Sequence, residues 1–285
     1  MKHTVLPALF LSCAACVGVA QAADWSDTSL SWRRGTQFAE PFGKDNITKN
    51  IYNLSQVSGY KYGTNFFSID YLMSDSKDPA APGSQDGARE IYAVYRHTLD
   101  LGKVTGKDFS AKGIRGLGAT AGFDVNTKDD AGYNSKKQMA VVGPTLFLDV
   151  PGFLNVSLLQ LFESNAPCSQ FTNSCVSRYE YKPHPMLAAA WGIPFSLGVP
   201  LSFEGYANWI APKGKDEYGN QTATETNIDM QVMYDASASV GASKNTFKVG
   251  AEYQFWKNKF GNDHNGAAGA GAYARTPMIR AEYHF

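Results

Sequence analysis

Cysteine, excess charge and long apolar runs are all scarce in this sequence. It has 4 cysteines in 285 residues, too few for a disulfide scaffold. Lys+Arg and Asp+Glu each number 26, so no basic face is available and a nucleic-acid partner is excluded. Beyond the N-terminal segment no stretch reaches the roughly 20 apolar residues that a spanning helix needs. Catalytic signatures are missing too. His97, His184, His264 and His284 stand in no serine motif, and there is neither an H-E-x-x-H nor an acidic calcium loop. An enzyme, a cofactor and a metal site are therefore not expected.

The N-terminus supplies an address. Met1, Lys2 and His3 precede an apolar run at 5–20, and Ala20-Gln21-Ala22 is an A-x-A pattern. This predicts a secretory signal peptide over residues 1–22, removed after Ala22. A membrane helix fits less well, because the run is short and holds Pro7, Ser12 and Gly18. A lipoprotein signal lacks its motif before Cys13 or Cys16. The remaining 23–285 read as one domain, and without Lys2 its charge falls to about minus one. Cys168 and Cys175 close a short polar loop with no His, Asp or Glu between them. In an exported chain that spacing points to a disulfide rather than a metal.

Period-two alternation dominates what is left. At the C-terminus Phe285, Tyr283, Ala281 and Ile279 interleave with His284, Glu282, Arg280 and Met278. Similar two-faced runs occur at 178–191, 197–209, 227–235 and 246–255. Candidate strands fall at 26–34, 46–58, 63–73, 88–99, 112–125, 136–150, 153–163, 176–192, 197–211, 222–236, 246–256 and 272–285. Twelve is an even count, as a barrel with both ends on one side of a membrane requires. Alternation alone also suits a soluble sandwich. The signal peptide, the strand count and the terminal Phe285 favour an all-β, transmembrane, antiparallel up-and-down barrel. Odd-numbered gaps are long and rich in Gly, Asp, Asn, Lys and Pro, whereas several even-numbered ones are tight. That asymmetry predicts long extracellular loops, short periplasmic turns and periplasmic termini in a bacterial outer membrane. Strands 46–58 and 153–163 alternate less cleanly, which suggests bulges. Trp25, Trp32, Tyr71, Tyr179, Tyr181, Trp191, Trp209, Trp256, Tyr283 and Phe285 lie near strand ends, as interfacial girdles do.

Twelve strands imply a narrow lumen. Its predicted wall includes Asp70, Glu90, Tyr92, Arg96, Glu180, Lys182, His184, Glu204, Tyr206, Asp229, Glu252, Arg280 and Glu282. Such a wall can hold a neutral, flat, polyhydroxylated solute. Equally, its charges can pair across the lumen and only hold the barrel's shape.

The stretches SLSWRRGTQFAEPFG, VSGYKYGTNFFSIDYL and IYAVYRHTLDLGKVTG, with the terminal RAEYHF, resemble the Tsx-like family of nucleoside-specific outer-membrane channels, which includes the OmpK proteins. SGYKYGTNFFSIDY at 58–71 carries most of the likeness. The disulfide loop and the Gly/Ala-rich 265–272 depart from that family. The resemblance implies a monomeric barrel taking up nucleosides passively and serving as a phage receptor. It places Phe38, Glu40 and Phe42 near the pore, the rings for stacking on a base and the carboxylate for a ribose hydroxyl. The alternatives are a closed receptor or adhesin barrel and a channel for another small solute.

Overall fold

A computed structural model describes residues 23–285 except 79–86, 131 and 171; the expected signal peptide lies outside the described residues. Twelve long strands run up and down in chain order. They are β1 Trp25–Phe38, β2 Ile47–Tyr60, β3 Gly63–Ser74, β4 Arg89–Asp100, β5 Ile114–Asp129 and β6 Gln138–Leu148. The circuit continues with β7 Phe153–Asn165, β8 His184–Ser196, β9 Pro200–Ile210, β10 Glu225–Asp235, β11 Phe247–Lys257 and β12 Tyr273–His284. Every strand pairs antiparallel with its sequence neighbours. β12 pairs with β1 through Trp32↔Ala281 and Arg33↔Arg280, which closes the ring. Closure satisfies all ladder hydrogen bonds and leaves no long edge, the condition for crossing a bilayer with strands.

The outward face is apolar and the inward face polar over much of the ring. Leu30, Tyr52, Tyr71, Ile91, Phe123, Leu158, Trp209, Val232 and Ile279 are exposed on the outside. Ser29, Arg33, Asn53, Asp124, Ser157, Asp229 and Glu252, at the alternate strand positions, are buried within. A soluble barrel would reverse this arrangement, so the wall is built to meet lipid.

One end of the barrel carries both described termini and mostly tight turns. β2 passes to β3 through Tyr60↔Gly63, and Gly152 and Gly198 hold positive φ in the turns after β6 and β8. A Cβ on Gly152 would stand 2.0 Å from the Gly192 carbonyl oxygen, so that turn needs glycine. The β4–β5 connection holds a short helix, α1 Leu101–Thr105, whose first amides bond the Asp100 carboxylate.

The opposite end carries the loops, and it differs from expectation in detail. β1 runs on to Phe38 and β5 to Asp129, so loops 39–46 and 130–137 are shorter than predicted. The strand expected at 176–192 begins only at His184, with Tyr179–Glu180 bridging back to β7. Register shifts lie at Gly35/Phe38 between β1 and β2 and at Ile114/Gly116 between β5 and β6, and none interrupts 153–163. That strand reads as irregular because Leu159 and Leu161 face inward while Leu158 and Phe162 face outward. Some of the expected girdle aromatics also meet the cavity, Trp25, Trp191 and Phe285 among them. Trp256 lines the lumen, and Tyr181 is buried among the loops.

Candidate lumen and its closed loop end

The barrel encloses a cavity of about 2110 Å3 that reaches from the turn-end rim to Lys259 and Phe260 at the loop end. Its wall has two unlike halves. On β9–β12 and β1–β4 it is charged. Arg33 and Arg280 sit directly opposite each other on paired strands, a like-charge juxtaposition that is unfavourable by itself. Glu252 resolves it, with Oε1 3.2 Å from Arg33 and Oε2 2.8 Å from Arg280. The chain of alternating charge extends both ways. Arg33 also pairs with Asp70, which accepts from Asn53 Nδ2 at 2.7 Å. Arg280 pairs with Glu282, whose other oxygen meets His284 at 3.3 Å, and His284 reaches Asp27 at 2.9 Å. Nearby, Asp124 accepts from Tyr92 at 2.8 Å and pairs with Arg96, and Glu204 pairs with Lys248 at 3.3 Å.

The other half, on β5–β8 with Thr98 of β4, is neutral apart from Arg115 and Asp124 on β5 and Glu163 at the loop end of β7. A ladder of hydroxyls crosses it from Thr98 to Thr120 (2.9 Å), Thr145 (2.6 Å) and Ser157 (2.8 Å). Beside the ladder Val141, Leu159, Leu161 and Met186 form an apolar cluster, with Met139, Ala188 and Ile210 against it.

At the loop end the lumen is crossed by side chains. Glu40 is buried at 7 % exposure and meets Lys49 at 2.7 Å, Lys259 at 3.1 Å and Lys128 at 3.7 Å. Asp78 shares the same lysines, 3.4 Å from Lys49 and 3.0 Å from Lys128. These groups come from β2, β5 and three separate loops, so their meeting depends on ring closure. Burial alone would raise the Glu40 carboxyl, but Lys128, Lys259 and Lys49 outweigh it and hold it well below the ordinary carboxylate range. Burial dominates at Lys259 instead and lowers its ammonium below the ordinary lysine value.

Lys259 reaches this position on a tight turn in which Asn258 and Phe260 both take positive φ. Its ammonium lies 4.7 Å from the Trp256 ring and donates to the Ala39 carbonyl at 2.9 Å. Lys137, from the β5–β6 loop, stands 5.1 Å from the Phe260 ring. The Gly/Ala-rich segment packs over this layer. Phe42 N–H donates to the Ala268 carbonyl at 2.9 Å, and a Cβ on Gly271 would stand 2.0 Å from the Glu40 carbonyl oxygen. Only glycine permits that approach, which gives the unusual composition of 265–272 a packing reason.

A second buried acid, Glu163, meets Lys213 at 2.6 Å, Lys137 at 3.1 Å and His184 at 3.8 Å. Glu217 accepts from both Tyr133 and Tyr181, and burial followed by that carboxylate raises both phenols above their ordinary value. Cys168 and Cys175 form a disulfide, closing a two-residue ribbon that pairs with Tyr133–Asn134. Three loops are thereby tied together over the mouth.

The sequence-predicted residues separate into two groups. Asp70, Glu90, Tyr92, Arg96, Glu204, Tyr206 and Arg280 line the cavity along the barrel wall, and Phe38 and Glu40 border it at the loop end. Phe38 is 3 % exposed and packs with Ile47, Ile51 and Met278, its ring 5.6 Å from Lys49 Nζ. Glu40 is occupied by lysines. Phe42 is 67 % exposed and does not line the cavity. Sequence reading missed Lys49, Lys128, Lys137, Lys213 and Lys259. Only Lys128 carried a usable signal: extending β5 in its own alternation puts Lys128 on the face of Asp124. Among the described residues no histidine hydrogen-bonds a serine: His97 meets Tyr60 and Asn65, and His264 meets Asn258.

No protein-family description matches the chain, and no curated protein does. Among solved structures, the KdgM porin matches at 9 % identity over 90 % of this chain and 99 % of its own, with a TM-score of 0.43. The translocator domain of the autotransporter NalP from Neisseria meningitidis matches at 12 % identity over 98 % and 94 %, with a TM-score of 0.42. OccAB4 from Acinetobacter baumannii matches at 9 % identity over 94 % and 100 %, with a TM-score of 0.32. Likenesses this distant identify no residue of the lumen.

Proposed function

We propose that this protein is an outer-membrane channel for the passive, selective uptake of small uncharged solutes, nucleosides first among them. The loops face outward, the termini and tight turns face the periplasm, and the barrel works as a monomer. The observation that carries the reading is the two-sided lumen. Its charged half pairs with itself along Asp27, His284, Glu282, Arg280, Glu252, Arg33 and Asp70. A solute passing it meets fixed dipoles and hydroxyl partners rather than a field of one sign. The neutral half offers apolar surface to a ring. A nucleoside has a flat face for the neutral wall and polar edges for the charged one, where Tyr92 and Tyr206 are available to the base and Asp70, Glu204 and Arg280 to the sugar. The cluster around Glu40 is then the outer gate and not the sugar site.

One observation favours a second reading, a closed receptor for a phage or another surface ligand: the buried Glu40–lysine layer beneath tied loops. Single-channel recording of the refolded protein in a planar bilayer separates the two. A small conductance reduced saturably by adenosine or thymidine, and not by sucrose, is expected of the channel. A steady conductance indifferent to nucleosides would move the assignment to another solute. No conductance, even in a Glu40→Gln variant, would leave the receptor.

A further inference from the structure

The guanidiniums and carboxylates around Glu252 are spent on one another, whereas two side-chain amides on β9 and β10 are not. Asn208 and Asn227 stand directly opposite each other on those strands, and Asn227 stands opposite Trp256 on β11. Side chains paired in this way start about 5 Å apart, so two amides and an indole make one row across three strands. One inward step toward the turn end, Tyr206, Asp229 and Gln254 make a second row in the same register. All six residues line the cavity. The upper row lies next to the loop-end layer, since Trp256 carries the Lys259 ammonium 4.7 Å from its ring.

The rows differ in what they have left to offer. In the lower one, Gln254 Nε2 donates to Asp229 at 3.2 Å. In the upper one, Trp256 Nε1 donates to Glu225 at 2.6 Å, which fixes the indole against the wall. Asn227 Nδ2 reaches only the Tyr206 hydroxyl, at 3.5 Å, and its buried Oδ1 accepts no hydrogen bond. Asn208 makes no side-chain hydrogen bond among the described residues. A buried amide oxygen without a donor is costly, and a solute that supplies the donor removes that cost.

An amide presents a donor and an acceptor side by side in one plane. That is the complement of a nucleobase edge, where a ring nitrogen or carbonyl lies beside an amino group or N–H, and Asn grips such an edge with both groups at once. A sugar hydroxyl, free to rotate, has no such fixed pair. Tyr206, 37 % exposed, and Trp256 add ring surface beside the amides. We infer that β9–β11 carry a site for the edge of a nucleobase, held by Asn208 and Asn227 and flanked by Tyr206 and Trp256, and that the free base is a ligand as well as the nucleoside. The inference rests on the nucleoside reading above and places its specificity in the base, not in the sugar.

Isothermal titration calorimetry of the refolded full-length protein in detergent tests it, with adenosine, adenine and D-ribose as titrants. Binding needs no current, so a closed loop end does not hide the result. Adenine should bind within about threefold of adenosine, and ribose should not bind at the same concentrations. The combined Asn208→Leu and Asn227→Leu variant keeps the bulk and removes both amides. It should weaken adenine roughly tenfold, the lower end for one bidentate amide pair. Benzimidazole, which has the fused ring without the amino-bearing edge, should not be weakened. Adenosine bound without adenine would overturn the inference and leave the nucleoside reading standing, whether or not the variant refolds. Binding of none of the three would overturn both. A refolded variant that binds adenine as before, or that loses benzimidazole as much as adenine, would overturn the inference alone.

Discussion

The two halves of the lumen wall do the same structural task with different chemistry. On the β9–β4 side, side chains of opposite sign span the gaps between strands, each neutralising the next. On the β5–β8 side, hydroxyls and methyl-bearing side chains close the same gaps. A charged wall is rigid only while every member is present, because removing one leaves a buried charge without its partner. A neutral wall loses contacts in proportion to what is deleted. Substitution should therefore have abrupt effects on one side and graded effects on the other.

The largest expected effect is at Glu252, which separates Arg33 from Arg280. Glu252→Ala leaves two facing guanidiniums and should cost about 3–5 kcal/mol of stability, measured as the urea midpoint of unfolding from lipid vesicles. The matching deletion on the neutral wall, Leu161→Ala, should cost about 2–4 kcal/mol and leave ion selectivity unchanged. If the two variants shift both stability and reversal potential alike, the walls are not distinct.

Next in size is the loop end. Gly271→Ala forces a methyl against the Glu40 carbonyl, and Glu40→Gln removes the acid common to three lysines. Each should raise the mean conductance several-fold in planar-bilayer recording while the barrel stays folded. The same layer should respond to acid with a definite sign. A carboxyl depressed in the folded state contributes fully above its unfolded value and less as pH falls toward its folded one. Closure should hold from neutrality down to about the ordinary value of 4.5 and weaken below it, and Glu40→Gln should abolish this dependence.

The smallest expected change is in the hydroxyl ladder. Thr145→Val breaks the links to Thr120 and Ser157 and should cost about 1 kcal/mol, again read from the urea midpoint, with conductance unaltered.

The same contrast explains what could be read from sequence. The charged wall was legible because Glu252, Arg280, Asp70 and Tyr206 alternate with apolar neighbours that face lipid. The neutral wall was not, since β7 places Leu158 outward and Leu159 inward, and a period of two vanishes when both faces are apolar. Twelve strands were nevertheless countable, because turns and loops punctuate them. At the loop end Glu40 was found, and the lysines that surround it were not. Lys49, Lys128 and Lys259 lie far apart in the chain and come together only when β12 meets β1. The Gly/Ala run at 265–272 gave composition without a partner, since the need for Gly271 is set by residue 40.

The most direct measurement is the ionic current through single unaltered channels, in which Glu40 stays on its lysines, during titration with adenosine, adenosine 5′-monophosphate and sucrose. A lumen whose charges are spent on one another should show saturable block by adenosine, weaker block by the charged monophosphate and none by sucrose. Stronger block by the monophosphate than by adenosine would mean that the wall presents free positive charge, and would contradict the self-paired lumen.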